Sequence, residues 1–298
     1  MQLNIYQVDA FTDVAFGGNP AGVVPDASEL SEADMRRVAR EMNLAETAFI
    51  FPKDKSSFRV RFFTPVCEID LCGHATIGSF YSLAKKGYIT PIDDGIKRIY
   101  QETRVGNLLV EIYYKDGEVY KVMMEQGRPK SIGDVSQVDR LLKAMRIDAN
   151  DVGTSFKEAK PEIISTGLPD IMLPIKDKET LYNIKANYEE LEELSHELGI
   201  LGVHAFSLSD SKSDIVYTRN FAPLVGINEE SATGTANGAM LYYLKKNDLL
   251  ENNEIISVQG ETMNRTSHIH CQIEKDGDSF MVKVGGQSII VIEGIINI

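Results

Sequence analysis

Cysteine is scarce in this chain: Cys67, Cys72 and Cys271 are the only thiols in 298 residues. Three cannot all pair, and a reducing compartment keeps them free, so no disulfide framework is expected. Cys67 and Cys271 have no neighbours at metal-ligand spacing, and no metal is expected. A run of about 18 apolar residues is missing too, and Met1-Gln-Leu-Asn-Ile-Tyr6 lacks the basic and apolar regions of a signal peptide. The expectation is a soluble, cytoplasmic protein with no membrane partner. Basic residues number 31 against 44 acidic ones, for a net charge of −13, and they are dispersed. That excludes a nucleic-acid partner, which needs clustered Lys and Arg. It does not exclude a small anionic substrate held by local amides against the global field. Gly285-Gly286 is too short for a phosphate loop and no dinucleotide fingerprint occurs, so no cofactor is expected.

Helix and strand signals are mixed along the chain, as in an α+β protein. Residues 3–10 alternate as a strand, Gly17-Gly-Asn-Pro-Ala-Gly22 turns it, and Ala21 to Val24 returns. Ser31 with Asp34 reads as the N-cap of a helix whose Met35, Val38, Ala39 and Met42 share one face, ending near Asn43. A strand over 44–51 follows, carrying Glu46 just before its apolar run. Segments 108–114 and 118–124 are strands joined by the hairpin turn Lys115-Asp-Gly117. A helix is expected within Val135 to Met145.

The chain also repeats itself. Arg61-Phe-Phe-Thr-Pro65 recurs as Arg219-Asn-Phe-Ala-Pro223, and Cys72-Gly-His-Ala-Thr-Ile-Gly78 as Thr233-Gly-Thr-Ala-Asn-Gly238. Gly18-Asn-Pro20 recurs as Gly167-Leu-Pro169, Ala48-Phe49 as Ala205-Phe206, Lys85-Lys86 as Lys245-Lys246, and Lys115-Asp-Gly117 as Lys275-Asp-Gly277. Six pairs in one order imply two copies of one unit, residues 1–127 and 128–298. The C-terminal stretch from Ser288 has no counterpart in the first copy, and a strand is expected there. Gly73 and Gly234 each open a helix whose first amides and dipole suit an anion. Packed about an approximate two-fold axis, the copies would bring both helix starts to one carboxylate.

Val8-Asp-Ala-Phe-Thr12, Gly18-Asn-Pro-Ala-Gly-Val-Val24, Asn43-Leu-Ala-Glu-Thr-Ala-Phe49, Glu68-Ile-Asp-Leu-Cys-Gly-His-Ala-Thr76, Thr166-Gly-Leu-Pro169 and Val282-Lys-Val-Gly-Gly286 together resemble the PhzF-like phenazine-biosynthesis family. The resemblance covers nearly the whole chain. It implies a diaminopimelate-epimerase-like fold, in which two similar domains related by pseudo-two-fold symmetry each curl a mixed sheet around a central helix. It also implies a homodimer and a cofactor-independent isomerase that moves a proton, as in dihydro-3-hydroxyanthranilate isomerisation. The family's catalytic glutamate falls on Glu46, and its glycine and histidine on Gly73 and His74. Its Glu-Asp-Pro-Ala-Thr-Gly-Ser-Ala appears here as Glu229-Glu-Ser-Ala-Thr-Gly-Thr-Ala236. The substrate-facing acid is therefore Glu230, one methylene longer, the Pro becomes Ser231, and Gly234 and Thr235 complete the segment. These departures reshape that wall, and the natural substrate stays open.

Other readings accompany these. Asp70 either contacts substrate or fixes its loop through an Asx turn. Cys72 either packs as a small residue or serves with Glu46 in an epimerase or racemase, although its counterpart Thr233 supplies no second thiol. Arg61 and Arg219 brace their loops. A third reading is a non-catalytic small-anion-binding protein. Glu46 is expected to be partly enclosed, its pKa moved upward once a substrate carboxylate is bound.

Overall fold

Alternating apolar residues give β1 (Gln2–Ala10), and the Gly-Asn-Pro turn returns the chain as β2 (Asn19–Val24). The turn is strained: Phe11 and Phe16 take φ of 65° and 70°, and Gly18 takes 60°. The buried Asp9 carboxylate holds it by accepting the Phe16 amide at 2.8 Å. Helix α1 (Glu32–Met42) has its capping box, the Ser31 hydroxyl accepting from the Asp34 amide at 3.2 Å and the Asp34 carboxylate from the Ser31 amide at 3.3 Å. Asn43, at φ 50°, ends it in the left-handed conformation. There follow β3 (Glu46–Pro52), β4 (Ser57–Phe63), the two-residue β5 (Glu68–Ile69), α2 (Gly73–Lys85), β6 (Gly95–Thr103), β7 (Gly106–Lys115) and β8 (Glu118–Glu125). The β7–β8 hairpin turns through Asp116 and Gly117, both at positive φ.

The computed structural model describes residues 1–298 and divides them into two units, Met1–Glu125 with Gly285–Ile298, and Gln126–Val284. The second contains β9 (Lys130–Asp134), α3 (Val138–Met145), β10 (Glu162–Ser165), β11 (Pro169–Pro174), α4 (Lys178–Asn183), α5 (Tyr188–Leu198), β12 (Gly202–Ser207), β13 (Ile215–Ala222), β14 (Ile227–Glu230), α6 (Gly234–Lys246), β15 (Glu254–Gln259) and β16 (Ser267–Asp276). β17 (Ser279–Gly286) runs across the boundary, and β18 (Ser288–Asn297) belongs to the first unit, antiparallel to β1 along its whole length. No helix is long and apolar enough to cross a membrane.

Each unit is internally a mixed sheet around one helix. In the first, β1 is antiparallel to β2, β2 parallel to β3, β3 antiparallel to β4, β4 parallel to β6, and β6 antiparallel to β7. In the second, β10, β11, β12, β13, β15 and β16 follow the same succession of directions. Helix α2 packs on β1, β2, β3, β7, β8 and β18, and is buried without interruption from His74 to Phe80. It is apolar or small all round, which only an enclosed helix tolerates. Gly78 packs beside Val8, whose atoms lie 3.4 Å from where a Cβ would sit. Helix α6 packs likewise on β10, β11, β12 and β16. Amphipathic helices cover the outer faces, α1 over Phe49 and Phe63, and α3, α4 and α5 over Leu173, Val203, Ala205 and Phe221.

The ladders correct one repeat. Phe49 stands opposite Arg61, whereas Ala205 stands opposite Arg219. With the two arginines equivalent, Phe49 corresponds to Ala205 and Glu46 to Gly202, one residue from the Ala48–Ala205 match. A one-residue slip reverses which face a side chain occupies, so local identity there misassigns the core. Phe49 and Ala205 do share the outer face, each in the cluster under its unit's covering helices.

Gly18 tests the strained turn. Its φ is positive, and a Cβ would fall 2.1 Å from the Ala10 carbonyl oxygen. Gly18→Ala should cost on the order of 2 kcal/mol or more, read as a lower urea midpoint; an unchanged midpoint would show that the turn relaxes freely.

Candidate active site

Three side chains meet at the start of α2. Glu46, the first residue of β3, places Oε2 3.1 Å from His74 Nε2. The contact is close but poorly aligned, so Oε2 is buried without a well-formed hydrogen bond and is attracted to the ring mainly by charge. Cys72, the N-cap residue, lies with Sγ 3.5 Å from His74 Nδ1 and 3.9 Å from Nε2. All three ligand-type atoms lie within 4.8 Å of one another. Side-chain exposure is 15% for Glu46 and 5% for His74, so both are largely withdrawn from water. The strained turn delivers the fourth member, Asn19, whose amide sits 3.3 Å from His74 Nδ1. An amide can turn its nitrogen to a neutral ring or its oxygen to an imidazolium.

Charge follows from this packing. Burial pushes the Glu46 carboxyl up, but the charge of His74 and hydrogen bonding from His74 and Cys72 outweigh it, leaving the pKa below the ordinary value. Burial draws His74 down, and Cys72 and Glu46 reverse this to well above the usual imidazole value. Burial and Glu46 raise the Cys72 thiol, against His74. The resting state is a carboxylate, an imidazolium and a neutral thiol. The upward shift expected of Glu46 concerns the substrate-bound state; in the free site the adjacent His74 charge keeps the shift downward.

Gly73 opens α2, and a Cβ there would meet nothing within 4 Å, so its backbone faces open space. Cys72 provides no side-chain cap for the first-turn amides. Asp70 stands apart: its side chain is 67% exposed and 3.7 Å from Arg104. The arginines brace loops. Arg61 makes paired 2.7 Å contacts to Glu68, and Arg219 paired 2.8 Å contacts to Glu229.

The second unit has its own polar cluster at the start of α6. The Thr233 hydroxyl donates to Glu230 Oε2 at 2.7 Å, Asn237 Nδ2 donates to Gln259 Oε1 at 2.8 Å, and Thr166 donates to the Thr235 carbonyl at 2.9 Å. Gly234 is buried and Thr235 half-buried. Sequence reasoning missed Asp170, which is 1% exposed with neither carboxyl oxygen in a well-formed hydrogen bond. Burial, then the charge of Glu230, pushes its pKa up to about 7, with only the Gly202 amide opposing. Asp170 faces Gly202 across the β11–β12 ladder, and Gly202 is the counterpart of Glu46. The second unit therefore carries its acid on the neighbouring strand. Burial also pulls His204, which lies on this same face, down to about 3, so it is neutral. Asn19 was missed as well; its signal was the Gly18-Asn-Pro turn, read for its geometry alone.

Known proteins match this chain. The family described as phenazine biosynthesis-like protein, PhzC-PhzF, matches residues 8–294. The chain belongs to this family. An uncharacterized isomerase of Clostridium acetobutylicum is 36% identical over 97% of this chain and 96% of its own length. The crystal structure of a PhzF-family phenazine biosynthesis protein from Bacillus anthracis aligns with a TM-score of 0.86 at 27% identity, covering 100% of both chains. A hydroxyproline epimerase from Agrobacterium vitis shares the fold alone, with a TM-score of 0.63 at 12% identity over 99% of this chain and 91% of that one. The PhzF-family fold is therefore diaminopimelate-epimerase-like, as expected, and the chain stands among isomerase-like enzymes.

Asp170 gives a pH test. Its folded pKa of about 7 lies above the ordinary 3.8, so its contribution to stability is full below about pH 4 and is lost as pH rises toward 7. Asp170→Asn cannot ionise. Its stability relative to the natural protein should rise between pH 4 and pH 8 by more than about 1 kcal/mol in urea unfolding. A pH-independent difference would place the Asp170 pKa in the ordinary range.

Proposed function

We propose that the chain is a cofactor-independent isomerase that moves a proton by general acid–base catalysis on a small, carboxylate-bearing ring or conjugated acid. The observation that carries this is the buried Glu46 carboxylate held against His74 at 3.1 Å, where it is ionised and ready to accept a proton from carbon. His74 and the uncapped amides from Gly73 onward supply positive potential for the substrate carboxylate and the charge that develops as the proton leaves. Arrival of the substrate carboxylate adds negative charge and raises the Glu46 pKa, which helps it return the proton. Within the second unit, Glu230, Gly234 and Thr235 are proposed substrate contacts on the strength of the family resemblance. Asp70, exposed and beside Arg104, is assigned to its loop, and Cys72 to the Glu46 cluster.

One observation weighs against the epimerase reading. Inversion at carbon needs an acid and a base on opposite faces, each about 3–3.5 Å from the carbon and hence about 6–7 Å apart. Glu46 and Cys72 lie within 4.8 Å of each other beside one imidazole. They sit on one side of any carbon they reach, which suits a proton taken and returned on one face.

The test does not need a known substrate. Metabolite extract incubated with the protein in deuterated water should yield at least one acid that gains solvent deuterium. Glu46→Gln should slow that exchange on the order of 100-fold or more while the acid is still retained by the protein. Cys72→Ala should slow it less; the opposite ranking would favour the epimerase. Retention of acids with no deuterium gained by any of them would favour a binding protein. A cytoplasmic homodimer belongs to the same proposal, and sedimentation at micromolar concentration should show twice the chain mass; a monomer alone would remove the dimer.

A further inference from the structure

We propose that Glu46, Cys72 and His74 also form a three-ligand site for a soft divalent cation of the zinc class, whose binding blocks proton transfer by Glu46. The blocking rests on the function proposed above; the binding does not. A carboxylate, a thiol and an imidazole are the three donor types zinc takes. Zinc bonds of about 2.0–2.3 Å at tetrahedral angles set neighbouring donor atoms about 3.3–3.7 Å apart. The separations here bracket that range, 3.1 Å from Glu46 Oε2 to His74 Nε2 and 3.9 Å from His74 Nε2 to Cys72 Sγ. The remaining pair, Glu46 and Cys72, lies within 4.8 Å, so closing the set takes side-chain shifts of up to about 1 Å and a turn of the ring.

Two further features of the site favour an ion. Glu46 Oε2 is buried with no well-formed hydrogen bond, its nearest charge being the His74 imidazolium, whose proton a cation would replace. Asn19 at Nδ1 fixes the ring from behind, and turning its amide to present oxygen would hold the neutral tautomer that binds metal through Nε2. Hard cations such as magnesium demand six oxygens and do not suit a set containing a thiol. Coordination displaces the Cys72 thiol proton and the His74 ring proton to solvent, and the thiolate, imidazole and carboxylate then fill three positions. The fourth position stays open to water or to a substrate carboxylate. Because the ion takes the carboxylate lone pair that would accept the proton, a zinc-loaded site would be inactive. The sequence showed no such set because Glu46 lies far from Cys72 along the chain and is brought there by β3.

Equilibrium dialysis of the full-length, metal-free protein against zinc, and titration with cobalt, test this. The expected result is one zinc per chain, kept in Cys67→Ser, which removes the exposed thiol. Cobalt should show tetrahedral visible bands with a thiolate charge-transfer band. Cys72→Ser should remove that band and weaken zinc on the order of 100-fold or more, since even supporting residues cost 10–100-fold. His74→Gln should weaken it also, which guards against a local fault in one variant. Absence of stoichiometric zinc, a cobalt spectrum with no thiolate band, or affinity unchanged in Cys72→Ser would overturn the site. Zinc bound there while Glu46-dependent deuterium exchange continues would overturn the blocking. No deuterium exchange in metal-free protein, with the cobalt spectrum as expected, would defeat the isomerase reading and leave the metal site standing.

Discussion

A carboxylate and an imidazolium buried together at 3.1 Å constrain the whole first unit. Taking either charge out of water alone would cost several kcal/mol, so each is tolerated only because the other is fixed beside it. Glu46 is fixed by its place at the head of β3, paired to Ala21 of β2. His74 is fixed by the enclosure of α2 and by Asn19. Asn19 in turn depends on a turn with three residues at positive φ, which holds its shape through the buried Asp9 carboxylate. Strain of this kind persists where surrounding structure over-determines it, and here that structure is the same sheet that carries Glu46.

The second unit shows what remains of this design when the ion pair is absent. Its ladder directions are those of the first, and a buried glutamine serves each central helix in the same way: Gln101 bonds Thr76, and Gln259 bonds Asn237, each the fourth residue of its helix. Chemistry differs at the strand that would bear the glutamate. Gly202 stands there, and a Cβ at that position would lie 1.9 Å from the Phe221 carbonyl oxygen, so no side chain fits. The acid is instead Asp170, one strand over, with Glu230 rather than a histidine as its charged influence. Burial and like charge raise its pKa to about 7 where opposite charge lowers that of Glu46, so two similar frames hold one acid poised near neutrality and one ionised one.

Much of this was legible from local sequence because it is set by local physics. The capping box of α1, the Asp-Gly hairpin and the helix start after Cys72 depend on residues a few positions apart. The repeat was legible because turns and helix starts recur with their own residue types. The Ala48–Ala205 match failed for the opposite reason: strand register is fixed by partners across the ladder, and two identical residues in a row carry no register. Asn19 and Asp170 escaped notice because their roles arise from neighbours on other elements. The sign of the Glu46 shift in the free site stayed open in the sequence because it depends on the 3.1 Å to His74, and the sequence names charges but no distances.

The net charge of −13 raises the question of how such a protein would attract an anion. Distance and burial answer it. At physiological ionic strength, exposed charges more than about 8 Å away are largely screened, while charges inside a low-dielectric cluster are not. Much of the acidity lies on exposed helix faces, such as Glu189 and Glu193 on α5, or is paired, as Glu68 is with Arg61. Close to Gly73 the nearest unscreened influences are the His74 imidazolium and amides that no side chain caps. Glu46 offsets part of that potential until it takes a proton. In the proposed reaction, protonation of Glu46 would therefore strengthen the hold on an anion as the anion's charge spreads through its carbon frame, so that binding and proton transfer would reinforce each other.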